Sequence, residues 1–143
     1  MTQPATPRLT IPELCALLDE VFPAEARDRF GRVTTLEPGH VRMELMPGTD
    51  ALRRGRIVAG PTLMGLADVA GYAVVVAHAG PVVMTVTGTL SITFLRACSA
   101  GRVIADARLL RLSRRTASAD VRLWQRSGTE PVAQAMIGYV IPR

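Results

Sequence analysis

Between Arg56 and Arg96 the chain carries one formally charged side chain, Asp68, in the segment Val58-Ala-Gly-Pro-Thr-Leu-Met-Gly-Leu-Ala-Asp68. Its neighbours are apolar, small or hydroxylated. A carboxylate in such surroundings costs several kcal/mol unless it is paired, hydrogen-bonded or protonated. Gly60 and Pro61 stand eight and seven residues earlier, where a helix start turns free amides outward toward an anion. A carboxylate can take a proton or attack an electrophile, and such amides can hold developing negative charge. Asp68 and Gly60 therefore read as a catalytic pair. The competing reading makes Asp68 a satisfied structural acid paired with an arginine of the segment 48–56.

Spacing adds a constraint. Eight residues of helix rise about 12 Å at 1.5 Å each, so one reacting carbon cannot touch both groups within a single subunit. If both serve one reaction, two copies of the chain must meet at the site. Met64, Gly65 and Tyr72 share the helix face of Asp68 and are expected to line its pocket. His78 lies ten residues beyond Asp68, about 15 Å along and about 80° round the helix, which separates the two. His40 sits at a turn and reads as exposed.

These residues need elements to hold them. Residues 1–9 read as a polar tail. Thr10-Ile-Pro-Glu13 is a capping box for a helix with a stripe of Ile11, Leu14, Leu17, Leu18 and Val21, ending near Pro23. Arg32–Leu36 and Val41–Met46 read as short strands around Pro38-Gly39, and Gly48–Arg56 as an irregular loop. A helix over 61–79 follows, rich in Gly and Ala and apolar all round, hence buried. Glycine inside it costs up to about 1 kcal/mol, which close approach of a sheet would offset. From Met84 to Phe94 apolar and hydroxylated residues alternate with period two. Strands over 102–112, 116–125 and 132–141 follow, broken by Ser99-Ala-Gly101, Ser113-Arg-Arg115 and Ser127-Gly128, spacings that suggest antiparallel meander connections. The expected architecture is α+β, a curved antiparallel sheet of about six strands wrapped around one long helix, with a short N-terminal helix.

The chain has 143 residues, of which 48% are hydrophobic and 20% charged. That suits a single folded domain over residues 10–143. The net charge of +5 raises the question of a nucleic-acid partner. All seventeen basic residues are arginine, but they are scattered, which argues against a DNA-reading module and leaves them as ligands for phosphate. Cys15 and Cys98 have no metal-binding spacing, and a reduced, cytoplasmic location is expected. The N-terminus has no apolar run that reads as a secretory signal. The hydropathic stretch 57–84 is interrupted by Asp68 and Gly80-Pro81 and runs into an alternating strand, so no membrane span is expected.

The segment Gly55-Arg-Ile-Val-Ala-Gly-Pro-Thr-Leu-Met-Gly-Leu-Ala-Asp68 resembles the signature of the phenylacetyl-CoA-type (PaaI-like) hotdog thioesterases. In that family His-Gly-Gly opens the central helix and Leu-Ala-Asp follows, the aspartate nine residues after the histidine. Gly60 matches the first glycine and Asp68 the acid. Ala59 stands in place of the histidine and Pro61 in place of the second glycine, and Arg53 falls near the place of an upstream asparagine. Phe94-Leu-Arg96 and Leu110-Arg-Leu-Ser-Arg-Arg115 resemble later family elements, so the likeness spans roughly residues 30–142. It implies a hotdog fold and hydrolysis of an acyl- or aryl-CoA thioester. Asp68 would be nucleophile or general base, and the Gly60 amide would polarise the carbonyl. It also implies a homodimer or dimer of dimers with antiparallel central helices. Coenzyme A would enter as part of the substrate, with no other cofactor and no metal. Ala59, Pro61, Thr62, Met64, Gly65, Tyr72 and Thr87 would meet the substrate. Arg96, Arg114 and Arg115, then Arg53 and Arg54, would meet the coenzyme phosphates. A hotdog hydratase needs a nearby histidine, which His78 does not supply. A non-catalytic acyl-CoA-binding hotdog protein is the remaining alternative.

Overall fold

The computed structural model describes residues 5–126 and 130–142. The expected Ser127-Gly128 break and the first four residues of the expected tail lie outside them. The capping box forms as read: Thr10 N–H donates to Glu13 Oε1 at 3.0 Å, and Glu13 N–H to Thr10 Oγ1 at 3.3 Å. It starts α1 (Ile11–Val21), which buries Leu14, Leu17 and Leu18. A second helix, α2 (Ala24–Phe30), begins directly after Pro23 and is absent from the sequence reading. Its seven residues show too little periodicity to announce it. Tertiary contacts hold it: Arg27 Nε donates to Asp19 Oδ1 at 2.7 Å, and the Phe22 and Phe30 rings lie 5.1 Å apart.

Strands β1 (Arg32–Glu37) and β2 (His40–Leu45) form the expected hairpin. The segment after them is more ordered than expected, with a short turn of 3-10 helix (Thr49–Ala51) and a two-stranded hairpin, β3 (Leu52–Arg53) and β4 (Ile57–Val58). The long helix α3 (Gly60–Ala79) is followed by β5 (Val86–Phe94), β6 (Val103–Leu112), β7 (Thr116–Trp124) and β8 (Ala133–Val140). The large sheet runs β1-β2-β6-β7-β8-β5, all antiparallel. Strands β6, β7 and β8 make the expected meander, but β5 pairs with β8 rather than β6. The connection explains this. Val58 N–H donates to Cys98 O at 2.8 Å and Ala100 N–H to Arg56 O at 2.9 Å. These bonds carry the chain past β4 and deliver β6 to β2, leaving β5 at the edge opposite β1.

Helix α3 is buried on every side from Val69 to His78, as its uniform apolarity requires. It is long and apolar enough to cross a membrane, yet 72% of that stretch is buried against the protein's own sheet and helices. Gly71 marks the closest approach. A Cβ there would lie 3.1 Å from Cζ of Tyr139 on β8, so only glycine lets that ring lie across the helix. Arg8 and Leu9 dock on the helix end, their amides donating to Ala77 O at 2.8 and 3.3 Å. They satisfy a carbonyl that a helix C-terminus leaves open.

Both histidines are structural. His78 Nε2 accepts from Gly39 N–H at 2.8 Å, and Nδ1–H donates to Val74 O at 2.7 Å. This ties the β1–β2 turn to α3. His40 is buried, not exposed, because register places it beside Asp106 on β6, where its Nε2–H donates to Oδ1 at 2.7 Å. Arg42 binds the same carboxylate through two bonds of 2.9 and 3.1 Å. Burial raises the Asp106 pKa, but the hydrogen bonds and charges of His40 and Arg42 outweigh it and hold the carboxyl at about 2, below its ordinary 3.8. A depressed carboxyl stabilises the fold above its unfolded-state pKa and loses that contribution as pH falls through the folded one. Asp106 is therefore expected to contribute on the order of 2 kcal/mol above about pH 4, lost as pH falls toward 2. Urea unfolding of wild type and Asp106→Asn should show a gap that narrows by that amount between pH 6 and pH 2. A gap independent of pH would refute the assignment.

Candidate active site

The N-terminus of α3 is held by its approach. Ala59 N–H donates to Ala51 O at 2.9 Å, and Ala59 takes an extended φ of −66° and ψ of 144° without a side-chain cap. Gly60 is the first helical residue, so Pro61 occupies the second helical position rather than the first. The amide that Pro61 lacks would have no intrahelical partner at that position either. Thr62 and Leu63 amides donate to Ala59 O at 3.0 and 3.2 Å. Among the described residues the Gly60 N–H meets no acceptor and stands at the positive end of a 20-residue helix.

Two turns along, Asp68 is partly exposed and its carboxylate is met by hydroxyls. Thr87 Oγ1 donates to Oδ1 at 2.7 Å, and Tyr139 Oη donates to Oδ1 at 3.2 Å and to the Asp68 carbonyl at 2.8 Å. The polar partners that the sequence demanded are thus hydroxyls, not an arginine of the segment 48–56. Oδ2 has no donor among the described residues. Tyr139 is buried, and its hydroxyl is pushed well above the ordinary tyrosine pKa by desolvation and then by the Asp68 charge, so it stays a donor.

Asp68 opens on a cleft of about 250 Å³ lined by Val21, Phe22, Phe30, Gly65, Val69, Tyr72, Thr85 and Thr87. A neighbouring cleft of about 340 Å³ is lined by Arg29, Phe30, Asp50, Ala51, Pro61, Thr62 and Gly65. Phe30 and Gly65 border both, so the two follow one stripe of α3 from Pro61 to Tyr72, with α2 alongside. Phe22 meets Phe30 and stands edge-on to Tyr72 at 5.8 Å. With Tyr139, four of the chain's six aromatic side chains therefore gather around this acid, and ring–ring contact favours the grouping of Phe22, Phe30 and Tyr72.

The expected site residues divide clearly. Gly65, Tyr72, Thr87, Pro61 and Thr62 line the clefts. The Tyr72 hydroxyl is spent on Val83 O at 2.9 Å, so it offers the cleft a ring. Burial, and then the Glu20 charge, push its pKa up. The Thr62 hydroxyl donates to Ala51 O at 3.3 Å. Met64 is 40% exposed and lines neither cleft. Arg53 and Arg54 are exposed on the β3–β4 hairpin just before Gly60, joined there by Arg56, whose φ of 57° shapes the turn. Arg96 donates to Pro131 O and pairs with Glu130 at 3.4 Å. Arg114 and Arg115 lie in the β6–β7 turn, with Arg114 facing a cleft that also takes in Arg8 and His78 at the opposite end of α3. Sequence reasoning missed Tyr139, Phe22, Phe30 and Arg56. Only the Arg53–Arg56 run carried a signal for one of them. Among the described residues no three His, Cys, Asp or Glu side chains converge as a metal site needs.

Residues 55–132, from the arginine hairpin to the start of β8, match the family model of the thioesterase superfamily. Among solved structures, a protein from Silicibacter sp. assigned to the thioesterases is 34% identical, covers 97% of this chain and 96% of its own, and superposes with a TM-score of 0.86. The phenylacetic acid degradation protein PaaI from Thermus thermophilus is 26% identical over 84% of this chain and all of its own, with a TM-score of 0.71. The zebrafish thioesterase superfamily member 2 is 21% identical, covers 94% and 99%, and at a TM-score of 0.79 shares the fold. No curated protein matches. A family model matched over more than half of the chain and a solved thioesterase 34% identical along nearly all of it place the chain in the thioesterase superfamily, as a thioester hydrolase of hotdog fold.

Proposed function

We propose that the protein hydrolyses an acyl- or aryl-CoA thioester at a site completed by two copies of the chain. The observation that carries this reading is Asp68 itself, with Oδ1 held by Thr87 and Tyr139, Oδ2 without a donor among the described residues, and an aromatic cleft beside it. The Gly60 amide polarises the thioester carbonyl and holds the negative charge that develops on its oxygen. Asp68 either takes a proton from the attacking water or attacks the carbonyl carbon itself. In both routes the C–S bond breaks and coenzyme A leaves as the thiol; in the second the acyl group stays on Asp68 as a mixed anhydride, and water attacks the Asp68 carboxyl carbon to release the free acid. A single turnover in ¹⁸O-water separates them: the label enters only the acid product in the first route and reaches the Asp68 carboxylate in the second.

About 12 Å of helix between Gly60 and Asp68 calls for a second subunit. Edge strand β5 supports one. Val86 is 54% and Phe94 47% exposed on it, and an unpaired edge with such side chains invites strand pairing. Two antiparallel α3 helices across that edge bring the Gly60 of one copy toward the Asp68 of the other. Arg53 and Arg54 on the hairpin, with Arg56, suit the coenzyme phosphates. Arg96, Arg114 and Arg115 belong to the same proposed set, Arg96 with its charge partly matched by Glu130. Ala59, Pro61, Thr62, Gly65, Tyr72 and Thr87 border the acyl group, with Met64 at the subunit boundary. The 250 Å³ cleft admits a ring, since an apolar cavity of about 150 Å³ takes benzene. Two free cysteines, Cys15 and Cys98, suit a cytoplasmic setting.

Ala59, lacking the family histidine, favours one other reading, a non-catalytic acyl-CoA-binding protein. A panel of acyl- and aryl-CoAs with wild type and Asp68→Asn decides between them. Turnover by wild type, lost in the variant, is expected. Tight binding of CoA esters without any wild-type hydrolysis would leave only the second reading.

A further inference from the structure

Tyr139 and Thr87 stand directly opposite one another in the β5–β8 register, and both hydroxyls reach the same oxygen of Asp68. Two neighbouring strands thus converge on one carboxylate of the helix they cover. The Tyr139 side is the more constrained. Its ring is 1% exposed and its hydroxyl also holds the Asp68 carbonyl at 2.8 Å. The place it occupies exists because residue 71, on the next turn of α3, has no side chain. A carboxylate otherwise rotates broadly about its last torsion, in a twofold fashion. Hydroxyls fixed on Oδ1 remove that freedom and leave Oδ2 without a donor among the described residues, on an acid that borders the cleft.

We infer that Tyr139 is a positioning residue for the hydrolysis, seated by Gly71, which fixes the Asp68 carboxylate so that Oδ2 is the reacting oxygen. The inference rests on Asp68 being the acid of the proposed reaction. Both hydrogen bonds of the Tyr139 hydroxyl go to Asp68, so Tyr139 acts through Asp68. Misorientation of a reacting group is costly in rate even when binding is untouched. Removing this hydroxyl therefore changes kcat and spares KM. The phenylalanine variant keeps the ring that packs on Gly71, and the Asp68 carbonyl remains inside the helix, so the fold has little reason to fail.

The experiment compares wild type, Tyr139→Phe, Asp68→Asn and the double variant on the acyl-CoA that wild type turns over best, with melting temperatures measured in parallel. Tyr139→Phe is expected to lose about ten- to a hundredfold in kcat with KM within about twofold, and to cause no further loss in the Asp68→Asn background. Gly71→Ala, whose methyl displaces the Tyr139 ring, serves as a second route to the same kcat defect. An unchanged kcat in Tyr139→Phe overturns the assignment. So does an equal fractional loss with and without Asp68, since that would mark a purely structural role. Absence of any turnover by wild type is a different result. It removes the hydrolase reading, and this role with it.

Discussion

Asp68→Asn is expected to lower kcat by about 10²- to 10⁴-fold while the melting temperature stays within a few degrees of wild type. The two halves of that expectation have separate causes. Asparagine has neither a lone pair basic enough to take the water proton nor a charge with which to attack a carbonyl carbon, so either route loses its reacting group. The surrounding structure hardly notices, because Thr87 and Tyr139 both act as donors to Oδ1, and the Asn carbonyl oxygen accepts from the same two hydroxyls. Its amide nitrogen then takes the place of Oδ2, which has no donor to repel among the described residues. Steady-state kinetics with thermal unfolding check this directly. A variant that keeps wild-type turnover would sink the role of Asp68, and one that unfolds would show that its charge serves the fold.

The second large effect concerns one N–H group. Gly60→Pro removes the amide and adds a side chain directly before Pro61, a change whose Cβ the alanine control below shares. Ala59 already has the extended backbone that a residue before proline adopts, and proline is well placed at a first helical position. Loss of one such donor costs about a hundred- to a thousandfold in kcat. Gly60→Ala is the control. It keeps the amide, and its Cβ would lie 3.6 Å from the Phe94 ring, an ordinary contact, so only a few-fold loss is expected. Equal losses in the two variants would show that shape, not the amide, matters at this position. The pair also tests the shared site. When Asp68→Asn and Gly60→Pro chains are unfolded and refolded together, each mixed dimer regains one site built from intact Gly60 of one chain and intact Asp68 of the other. A 1:1 mixture should then recover about a quarter of wild-type activity, as random pairing in twofold dimers requires. No recovery would mean that each subunit carries its own complete site.

Much of this was legible along the chain, and for a common reason. The capping box of α1, the buried α3 and the alternating β5 each rest on patterns within about twenty residues, where hydropathy and backbone chemistry speak directly. The misses are of the opposite kind. Helix α2 is seven residues long and is held by Asp19 and by ring contacts. His40 looked exposed because a turn usually is, while Asp106, sixty-six residues away, buries it. The place of β5 beside β8 depends on backbone bonds from the segment 98–100 to β4, which no strand spacing records.

The sequence by itself therefore determined which groups are candidates for the chemistry proposed above: a lone acid in an apolar run and a helix start eight residues before it. Those are local consequences of side-chain charge and proline geometry. Tertiary structure alone decided what holds the acid. Tyr139 reaches Asp68 across seventy-one residues of chain, because register on β8 aims it at α3 and Gly71 leaves it room. A hydroxyl's partner is a matter of distance in space, and distance in space is what the packing of sheet on helix supplies.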